Sequence, residues 1–498
     1  MLGRHEEARA AIESLRKYNP TFLDLENVRE EIARWDPDEG EVERLMQGLQ
    51  KAGLKYGMKQ GSADSAATEI EPELKSHSSR MRVDRRDSGA ARAAVREDEG
   101  FWVAVLPFKY TGSNADLKAL AEGLSEEVIT GLSRFSYLRV IARGSTAKYS
   151  GESDDVRAIG KELGARYVME GSLRQAGSKL RLAVQLVDTF SGTHLWAETY
   201  ERSFKPEAIF DLQDDLVPRI VSTVADQYGV LPRGMSEALR SKSNEELTPH
   251  EAVLRTFSYF SRVDREEHAV VRDILERSVR DAPDHADSWA LLSMIYRGEF
   301  AQGFNARPNP LDRALDAARR AVDLAPTHSL GHYALATVHF FRKEMIPFRV
   351  EAERALKINP LDASVKAYLG LLIASSGEWD PGCEMVESAM QLNPNCPGYF
   401  YFARCWGSYR LGKYEQTLEA LARANMPNYF HVPAMQAAAL GQLGRHEEAR
   451  KAVQDLLALR PDFATVARQE YAKWYDEEHV EQVIEGLRKA GLQIPDNG

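Results

Sequence analysis

The spacing of apolar residues changes along the chain, from a period of about 2 residues to a period of about 3.6. Between residues 101 and 204 the shorter period predominates, which is typical of half-buried strands. The apolar runs Trp102–Phe108 and Leu138–Ala142 predict two buried strands. Three further strands are predicted in close succession, separated only by turns that contain glycine and serine, at 167–174, 180–188 and 194–204.

Segments whose apolar residues have helical spacing alternate with these strands. Apolar residues lie on one side of the segment Ala115–Phe135, and a second helix is predicted to end at Leu163. Ser153 or Asp154 is expected to cap this second helix, because a side-chain oxygen there can accept a hydrogen bond from a free backbone amide. A third helix is predicted from about Ile209 to Tyr228. The order β-α-β-α-β-β-β-α indicates a mixed sheet with helices packed against it.

Beyond residue 248 a longer repeat is superimposed on the helical period. Five prolines, at positions 326, 360, 394, 427 and 461, are separated by 34, 34, 33 and 34 residues. A period of this length is typical of stacked helix–turn–helix units, in which proline ends each second helix. In one unit Gly370 is predicted to let the neighbouring helix approach closely, and Gly377 to turn the chain. Gly412 and Gly444 occupy the same turn in later units.

These positions resemble the tetratricopeptide repeat family over about residues 250–462. The resemblance implies helix pairs that stack into a superhelix, an α-solenoid, whose concave face is lined by the first helix of each unit. Members of the family generally bind extended or helical peptides there, so the resemblance implies a protein or peptide partner. The Lys, Asn and Arg set with which some members clamp a terminal carboxylate is not visible in this sequence.

The concave side of this array is predicted to be aromatic. By their phase in the repeat, seven side chains are assigned to it: Tyr333, Phe340, Phe341, Tyr399, Phe402, Trp406 and Tyr409. A cluster of exposed aromatic residues is typical of a partner surface. The alternative for any one of them is a place in the core between helices.

Both ends of the array are predicted to depart from the regular unit. Segment 251–284 is a degenerate unit. The step from Pro283 to Pro326 is 43 residues, nine more than the repeat, and we place the extra residues in the loop Gly303–Pro310. Segment 463–492 is predicted to supply closing helices with a charged outer face, as the end of a stacked array requires.

The beginning of the sequence repeats this closing segment. Leu2–Arg9 is identical to Leu443–Arg450, and Gly48–Leu54 differs from Gly486–Leu492 at one position. Residues 1–56 are therefore predicted to be a partial array end that lacks the first helix of its unit. Either the chain is the downstream part of a longer polypeptide, or a tandem duplication has been cut by a new start.

Several short motifs between residues 101 and 228 resemble those of a second family, the TolB amino-terminal-like domain. In the family's order they are Ala104–Phe108, Ala121–Ser125, Ile141–Arg143, Tyr167–Ser172 and Gln185–Tyr200. This domain is found between an effector domain and tetratricopeptide repeats in bacterial signalling proteins, many of which begin with a class III adenylate or guanylate cyclase domain. The resemblance implies a regulatory module without established catalysis. Paired metal-binding aspartates in a cyclase-like strand are not visible before residue 100, so cyclase activity is not expected.

Composition and charge narrow the functional classes. The net charge of −11 argues against a general affinity for nucleic acid or anionic membranes. The three cysteines have no metal-type spacing and suit a reducing cytoplasm. No run approaches the roughly 18 apolar residues of a membrane-spanning helix. We therefore expect a cytoplasmic protein without a membrane span.

The residues predict no catalytic set, no cofactor site and no metal site. His328, His332 and His339 have helical spacing that could suggest zinc, but two of them fall where the repeat packs an aromatic ring. Structural packing is therefore expected for these histidines. The strand–loop–helix connection Phe108–Ala115 could present amides to a phosphate, but it has neither glycine-rich phosphate motif.

The sequence thus predicts a multidomain protein. It would consist of a partial array end at 1–56, a disordered linker at 57–100, a mixed α/β TolB-like domain at 101–232, and a tetratricopeptide superhelix with closing helices at 248–498. The leading hypothesis is a non-catalytic bacterial signalling scaffold that binds a protein in its concave groove. The alternative is the regulatory remainder of a class III nucleotide cyclase that acts only with a catalytic chain in trans. In a third hypothesis the α/β domain binds a nucleotide or another small anion.

Overall fold

The computed structural model describes residues 101–149, 155–205 and 208–495. The array end predicted at 1–56 and the linker predicted at 57–100 lie outside the described residues. Within the described ranges the chain forms a mixed sheet with packed helices, followed by a series of helix pairs. The predicted fold class, an α-solenoid together with a mixed α/β part, is confirmed.

The sheet runs in the order β3-β1-β4-β5-β6, and β2 pairs with β4 off this path. Strand β1 pairs in parallel with β3 and β4, whereas β4, β5 and β6 form antiparallel pairs. The two-residue strand β2 was not predicted from the sequence. The strands are β1 (Trp102–Val105), β2 (Lys109–Tyr110), β3 (Arg139–Val140), β4 (Tyr167–Ala176), β5 (Lys179–Asp188) and β6 (Thr193–Ser203).

Four helices accompany the sheet: α1 (Ala115–Leu132), α2 (Arg143–Thr146), α3 (Val156–Leu163) and α4 (Ile209–Ala225). Helix α1 turns its predicted apolar side to the core, where it contacts α4. Helix α3 is capped by Asp155 and not by the predicted Ser153 or Asp154. Because the helix begins at Val156, it is the Asp155 carboxylate that accepts a hydrogen bond from the Arg157 amide, at 3.0 Å.

After the short helix α5 (Val230–Ala238), the chain forms seven helix pairs. Each consists of a first helix and a second helix joined by a turn or loop. The pairs are α6 (Pro249–Arg262) and α7 (Arg265–Asp281), α8 (Ala286–Ala301) and α9 (Pro310–Leu324), α10 (Ser329–Phe341) and α11 (Met345–Ile358), α12 (Ala363–Ser375) and α13 (Trp379–Leu392), α14 (Tyr401–Arg410) and α15 (Tyr414–Ala424), α16 (His431–Gln442) and α17 (His446–Leu459), and α18 (Phe463–Ala472) and α19 (Glu477–Lys489).

The repeated glycines have the roles that the sequence predicted for them. Gly377, Gly412 and Gly444 adopt positive φ angles of 103°, 72° and 70° in the turns between first and second helices, a conformation that glycine adopts without steric cost. A Cβ atom added at Gly382 on α13 would lie 2.5 Å from the carbonyl oxygen of Gly370 on α12. The two helices of this pair therefore touch backbone to backbone.

The sheet part and the helix pairs share one apolar core. Asp226, directly after α4, accepts hydrogen bonds from the backbone nitrogen and the hydroxyl of Ser364 on α12, at 2.7 and 2.6 Å. The ring of His250 on α6 lies 3.0 Å from the carbonyl oxygen of Tyr137. Both contacts are buried, so the α/β part is packed firmly against the array. In the described ranges we find no helix whose apolar stretch is long enough to cross a bilayer.

Candidate functional site

A cavity of about 120 Å³ lies where the first helices of six consecutive pairs converge. Each of these six first helices contributes lining residues, and among the described residues no second helix does. The cavity therefore lies on the inner, concave side of the array. Representative lining residues in helix order are Tyr259, Arg297, Tyr333, Tyr368, Trp406 and His431.

Four of the seven aromatic residues assigned to the concave side line this cavity: Tyr333, Tyr399, Phe402 and Trp406. Their rings contact other aromatic residues of the inner face in stacked, tilted and edge arrangements. The ring of Tyr368 lies 6.0 Å from that of Tyr333 and 6.2 Å from that of Tyr399. The structure thus brings these four residues together around one space.

The other three assigned residues, Phe340, Phe341 and Tyr409, do not line the cavity. The ring of Phe340 packs against Phe348 on the second helix of its own pair, at 5.4 Å. The hydroxyl of Tyr409 donates to the carbonyl oxygen of Gln482 on α19, at 3.1 Å. These side chains are buried because they point toward neighbouring helices, which corresponds to the core alternative. Their contact with a partner stays a prediction.

Residues of the closing pair enter the inner face. Trp474, just after α18, packs on Phe341 with ring centroids 4.9 Å apart, and Tyr475 packs on Trp406 at 4.3 Å. The carbonyl oxygen of Lys473 accepts a hydrogen bond from Nζ of Lys343, at 2.9 Å. Sequence reasoning missed this contact. The available signal was the aromatic pair at 474 and 475 in an otherwise charged segment.

The α/β part also contributes to the lining of the cavity. Gln227 and Tyr228, between α4 and α5, line the cavity, and the ring of Tyr228 lies 5.7 Å from that of Tyr399. Burial raises the pKa of the Tyr228 hydroxyl well above its ordinary value. Three separate parts of the chain therefore line the same space.

The cavity contains a buried cation in an aromatic setting. The guanidinium of Arg297 lies 5.1 Å from the ring centroid of Tyr368 and 5.9 Å from that of Phe341. Burial raises the pKa of Tyr333 and of Tyr368, although Arg297 opposes this effect at both hydroxyls. Burial, together with the cations of Arg460 and Lys473, lowers the pKa of His431 to about 3, so this ring is neutral at physiological pH. Neither Arg297 nor His431 was singled out from the sequence.

The three histidines considered for zinc are engaged separately. His328 Nε2 lies 2.8 Å from an Asp287 carboxylate oxygen. His332 Nδ1 contacts Glu351 at 2.5 Å, and His339 Nδ1 contacts Glu344 at 2.6 Å. Within the described residues no group of three or more His, Cys, Asp or Glu side chains is arranged to hold a metal ion.

Comparisons with known proteins match parts of the chain to a domain of transcriptional regulators and to a putative adenylate cyclase. A family model described as "HilA/YgeH-like transcriptional regulator, second domain" matches residues 99–219. A putative adenylate cyclase 3 of Rhizobium meliloti (strain 1021) is 34% identical over 235 residues, which are 47% of this chain and 39% of the cyclase. The chain thus spans well under half of that relative.

Solved structures with similar helix arrangements include tetratricopeptide repeat proteins. YrrB, described as a TPR protein with an unusual peptide-binding site, is 15% identical, with a TM-score of 0.26; the match covers 38% of this chain and 93% of YrrB. Yeast Tom70 is 12% identical, with a TM-score of 0.31; the match covers 76% of this chain and 71% of Tom70. Scores of 0.26 and 0.31 support no functional comparison, and the fold assignment rests on the helix pairs themselves.

Proposed function

We propose that this chain is a non-catalytic protein-interaction scaffold in bacterial signalling, whose concave face receives an aromatic segment of a protein partner. The observation that carries the proposal is the way the inner face already receives one such segment. Trp474 and Tyr475 project from the chain between helices and are packed by aromatic residues of the first helices. An aromatic anchor in a preformed pocket is the usual centre of a binding interface.

A direct test uses a peptide of residues 468–480 as the partner probe. The variant with Trp474→Ala and Tyr475→Ala removes the two aromatic side chains that the closing pair contributes to the inner face and leaves the aromatic residues of the first helices in place. We expect the fluorescently labelled peptide to bind this variant in an anisotropy titration at least tenfold more tightly than it binds the unchanged protein. A peptide with both aromatic residues replaced by alanine serves as the control.

The scaffold proposal fails if the variant keeps its helical circular dichroism spectrum and does not bind the peptide. It also fails if the control peptide binds equally well, because binding would then not depend on the aromatic anchors.

A second candidate function is the regulatory part of a class III nucleotide cyclase. The observation in its favour is the 34% identity over 235 residues to a putative adenylate cyclase. The experiment adds the purified full chain to a class III catalytic domain and measures cyclic AMP formation at saturating ATP. A change in rate would support this role, and an unchanged rate at saturating chain concentration would contradict it. By itself the chain is expected to form no cyclic AMP.

The TolB amino-terminal-like assignment of residues 101–228 belongs to the same proposal. It gives the α/β part the role of an accessory module beside an effector. The match of residues 99–219 to the second domain of transcriptional regulators fits a module that accompanies different effectors. We propose the bacterial cytoplasm as its location, which suits the three free cysteines.

A further inference from the structure

Arg297 on α8 has unused hydrogen-bonding capacity inside the array. The residue is 9% exposed, and its Nε and Nη1 atoms have no hydrogen-bond partner among the described residues. The rings of Tyr368 and Phe341 attract the guanidinium. The hydroxyls of Tyr333 and Tyr368 also interact with the guanidinium as hydrogen-bond partners. They do not supply acceptors for all five of its N–H groups, since Nε and Nη1 remain without a partner among the described residues.

The walls of the cavity do not balance this charge. Among the described residues that line it there is no aspartate and no glutamate. The one histidine in the lining, His431, is neutral at physiological pH because its pKa is about 3. An arginine that is buried without a carboxylate carries a substantial desolvation cost, which an anion bound beside it would offset.

Further polar atoms around the cavity are also without partners. Within the described part of the chain, the Oε1 atoms of Gln227 and Gln302, the indole nitrogen of Trp474 and both ring nitrogens of His431 are buried and make no hydrogen bond. Buried polar atoms in native proteins are usually satisfied. Several unsatisfied atoms around one space therefore point to a polar ligand.

The size and the lining of the cavity indicate the size and the apolar character of this ligand. A cavity of about 120 Å³ is slightly smaller than the engineered apolar cavity of about 150 Å³ that binds benzene. Tyr333, Tyr368 and Phe402 are among the aromatic residues that line it. The cavity therefore has about the size of one six-membered ring.

We infer that this cavity is a binding site for a small planar organic monoanion, with its carboxylate on Arg297 and its ring among the tyrosines. The inference goes beyond the proposed scaffold function. It concerns a small ligand inside the array, so its failure would leave the test with the aromatic peptide untouched.

The test is calorimetric titration of the full chain with benzoate, followed by thermal unfolding with and without benzoate. We expect a dissociation constant on the order of 1 mM or tighter and a higher midpoint of unfolding. Benzamide has the same shape without the charge, and benzylamine has the opposite charge. Both are expected to bind at least tenfold more weakly. Inorganic phosphate has charge without a ring and is expected to bind no more tightly than benzamide.

The variant Arg297→Met removes the charge and keeps an apolar side chain. We expect it to fold, because it removes a buried unpaired charge, and to lose at least tenfold in benzoate affinity. Arg423→Met is the matched control. It makes the same change of charge at an exposed position on α15 and should bind benzoate normally.

Three results would overturn the inference. Benzoate could fail to bind the folded wild-type protein, benzamide or phosphate could bind as tightly as benzoate, or Arg297→Met could keep full affinity. The comparison of benzoate with benzamide uses the wild-type protein alone, so it decides the matter even if the variant does not fold.

Discussion

Asp226 and Asp362 are two buried carboxyl groups that meet where the α/β part contacts α12. Burial raises the pKa of both, and the charge of Asp226 raises the pKa of Asp362 further. Asp226 accepts hydrogen bonds from the backbone nitrogens of Ser364 and Tyr228 and from the Ser364 hydroxyl. These donors favour its ionised form. Asp362, which caps α12 through the Val365 amide, is therefore the group that is kept protonated.

We expect Asp362→Asn to stabilise the protein at neutral pH. A carboxyl group whose folded-state pKa is raised loses stability as the pH rises from its unfolded pKa of about 3.9 toward the folded value. Asparagine carries no charge and caps a helix as well as aspartate does. The free energy of unfolding in urea should rise by about 1.4 kcal/mol or more at pH 7.5, the equivalent of one pKa unit, and by less at pH 4.

Asp476 supplies a control of opposite sign, because it also caps a helix through its side chain. Burial acts to raise its pKa, but the backbone amide and the ring of His479 outweigh burial and lower it. Asp476→Asn should therefore destabilise the protein at neutral pH, and this loss should diminish as the pH falls through the lowered pKa. If both variants shift stability in the same direction at pH 7.5, the assignment of the proton to Asp362 is wrong.

Glu299 holds the long loop between α8 and α9. It is almost fully buried, and it forms an ion pair with Arg272 at 3.0 Å and another with Arg313. Its second oxygen accepts a hydrogen bond from the Arg307 amide in the loop, at 2.9 Å.

Glu299→Gln is expected to destabilise the protein by roughly 3 kcal/mol, because it leaves buried guanidinium charge uncompensated. Chemical denaturation measures the loss, and faster proteolytic cleavage within 302–309 should accompany it. A loss below about 0.5 kcal/mol, the usual range of surface substitutions, would contradict this role.

At the scale of elements, the contact between α12 and α13 depends on the absence of a side chain. A Cβ atom at Gly382 would lie 2.4 Å from the backbone nitrogen of Ala374, a distance that backbone atoms cannot relax cheaply. Gly382→Ala should therefore destabilise the array by about 1–3 kcal/mol, the usual cost of overpacking.

Gly407 on α14 gives a matched comparison. A Cβ atom there would meet its nearest neighbour, Sγ of Cys383, at 3.6 Å, an ordinary contact. Gly407→Ala should stabilise the protein by up to about 1 kcal/mol, because alanine favours a helix interior. Thermal unfolding should move the two midpoints in opposite directions. Equal shifts would show that helix propensity, and not the backbone contact, decides the effect at Gly382.

The sequence predicted these elements well where a local pattern specifies them. The prolines and the turn glycines indicated the helix pairs, because proline and positive φ act on the residue itself and its neighbours. The strand β2 could not be predicted, because two residues form it only by pairing with β4. The phase of the repeat indicated the inner face but did not separate cavity from core at Phe340, Phe341 and Tyr409.

At the scale of the whole molecule, the α/β part and the helix pairs have a continuous core. We therefore expect them to unfold together. Ser364→Ala removes the hydroxyl that donates to Asp226 at 2.6 Å. The substitution should lower the free energy of unfolding by about 1–3 kcal/mol, and the loss should be the same in the α/β part and in the helix pairs.

Hydrogen exchange in urea, followed in β4 and in α14, can measure both parts in one sample. A shift confined to α14 would show that the two parts unfold independently.

The cavity could not be predicted from the sequence. Its walls come from Tyr228, from the first helices and from Trp474, which are far apart in the chain. No periodicity relates these segments. The sequence therefore indicated a concave groove for a partner but did not show that the chain itself occupies part of this groove.

The order of the segments has a consequence for biosynthesis. Trp474 and Tyr475 follow, in the direction of translation, all the helices that they pack against on the inner face. A nascent chain folds from its N-terminal side, so these helices leave the ribosome before the hairpin that covers them. Their aromatic surface therefore stays uncovered during synthesis until the last hairpin has folded.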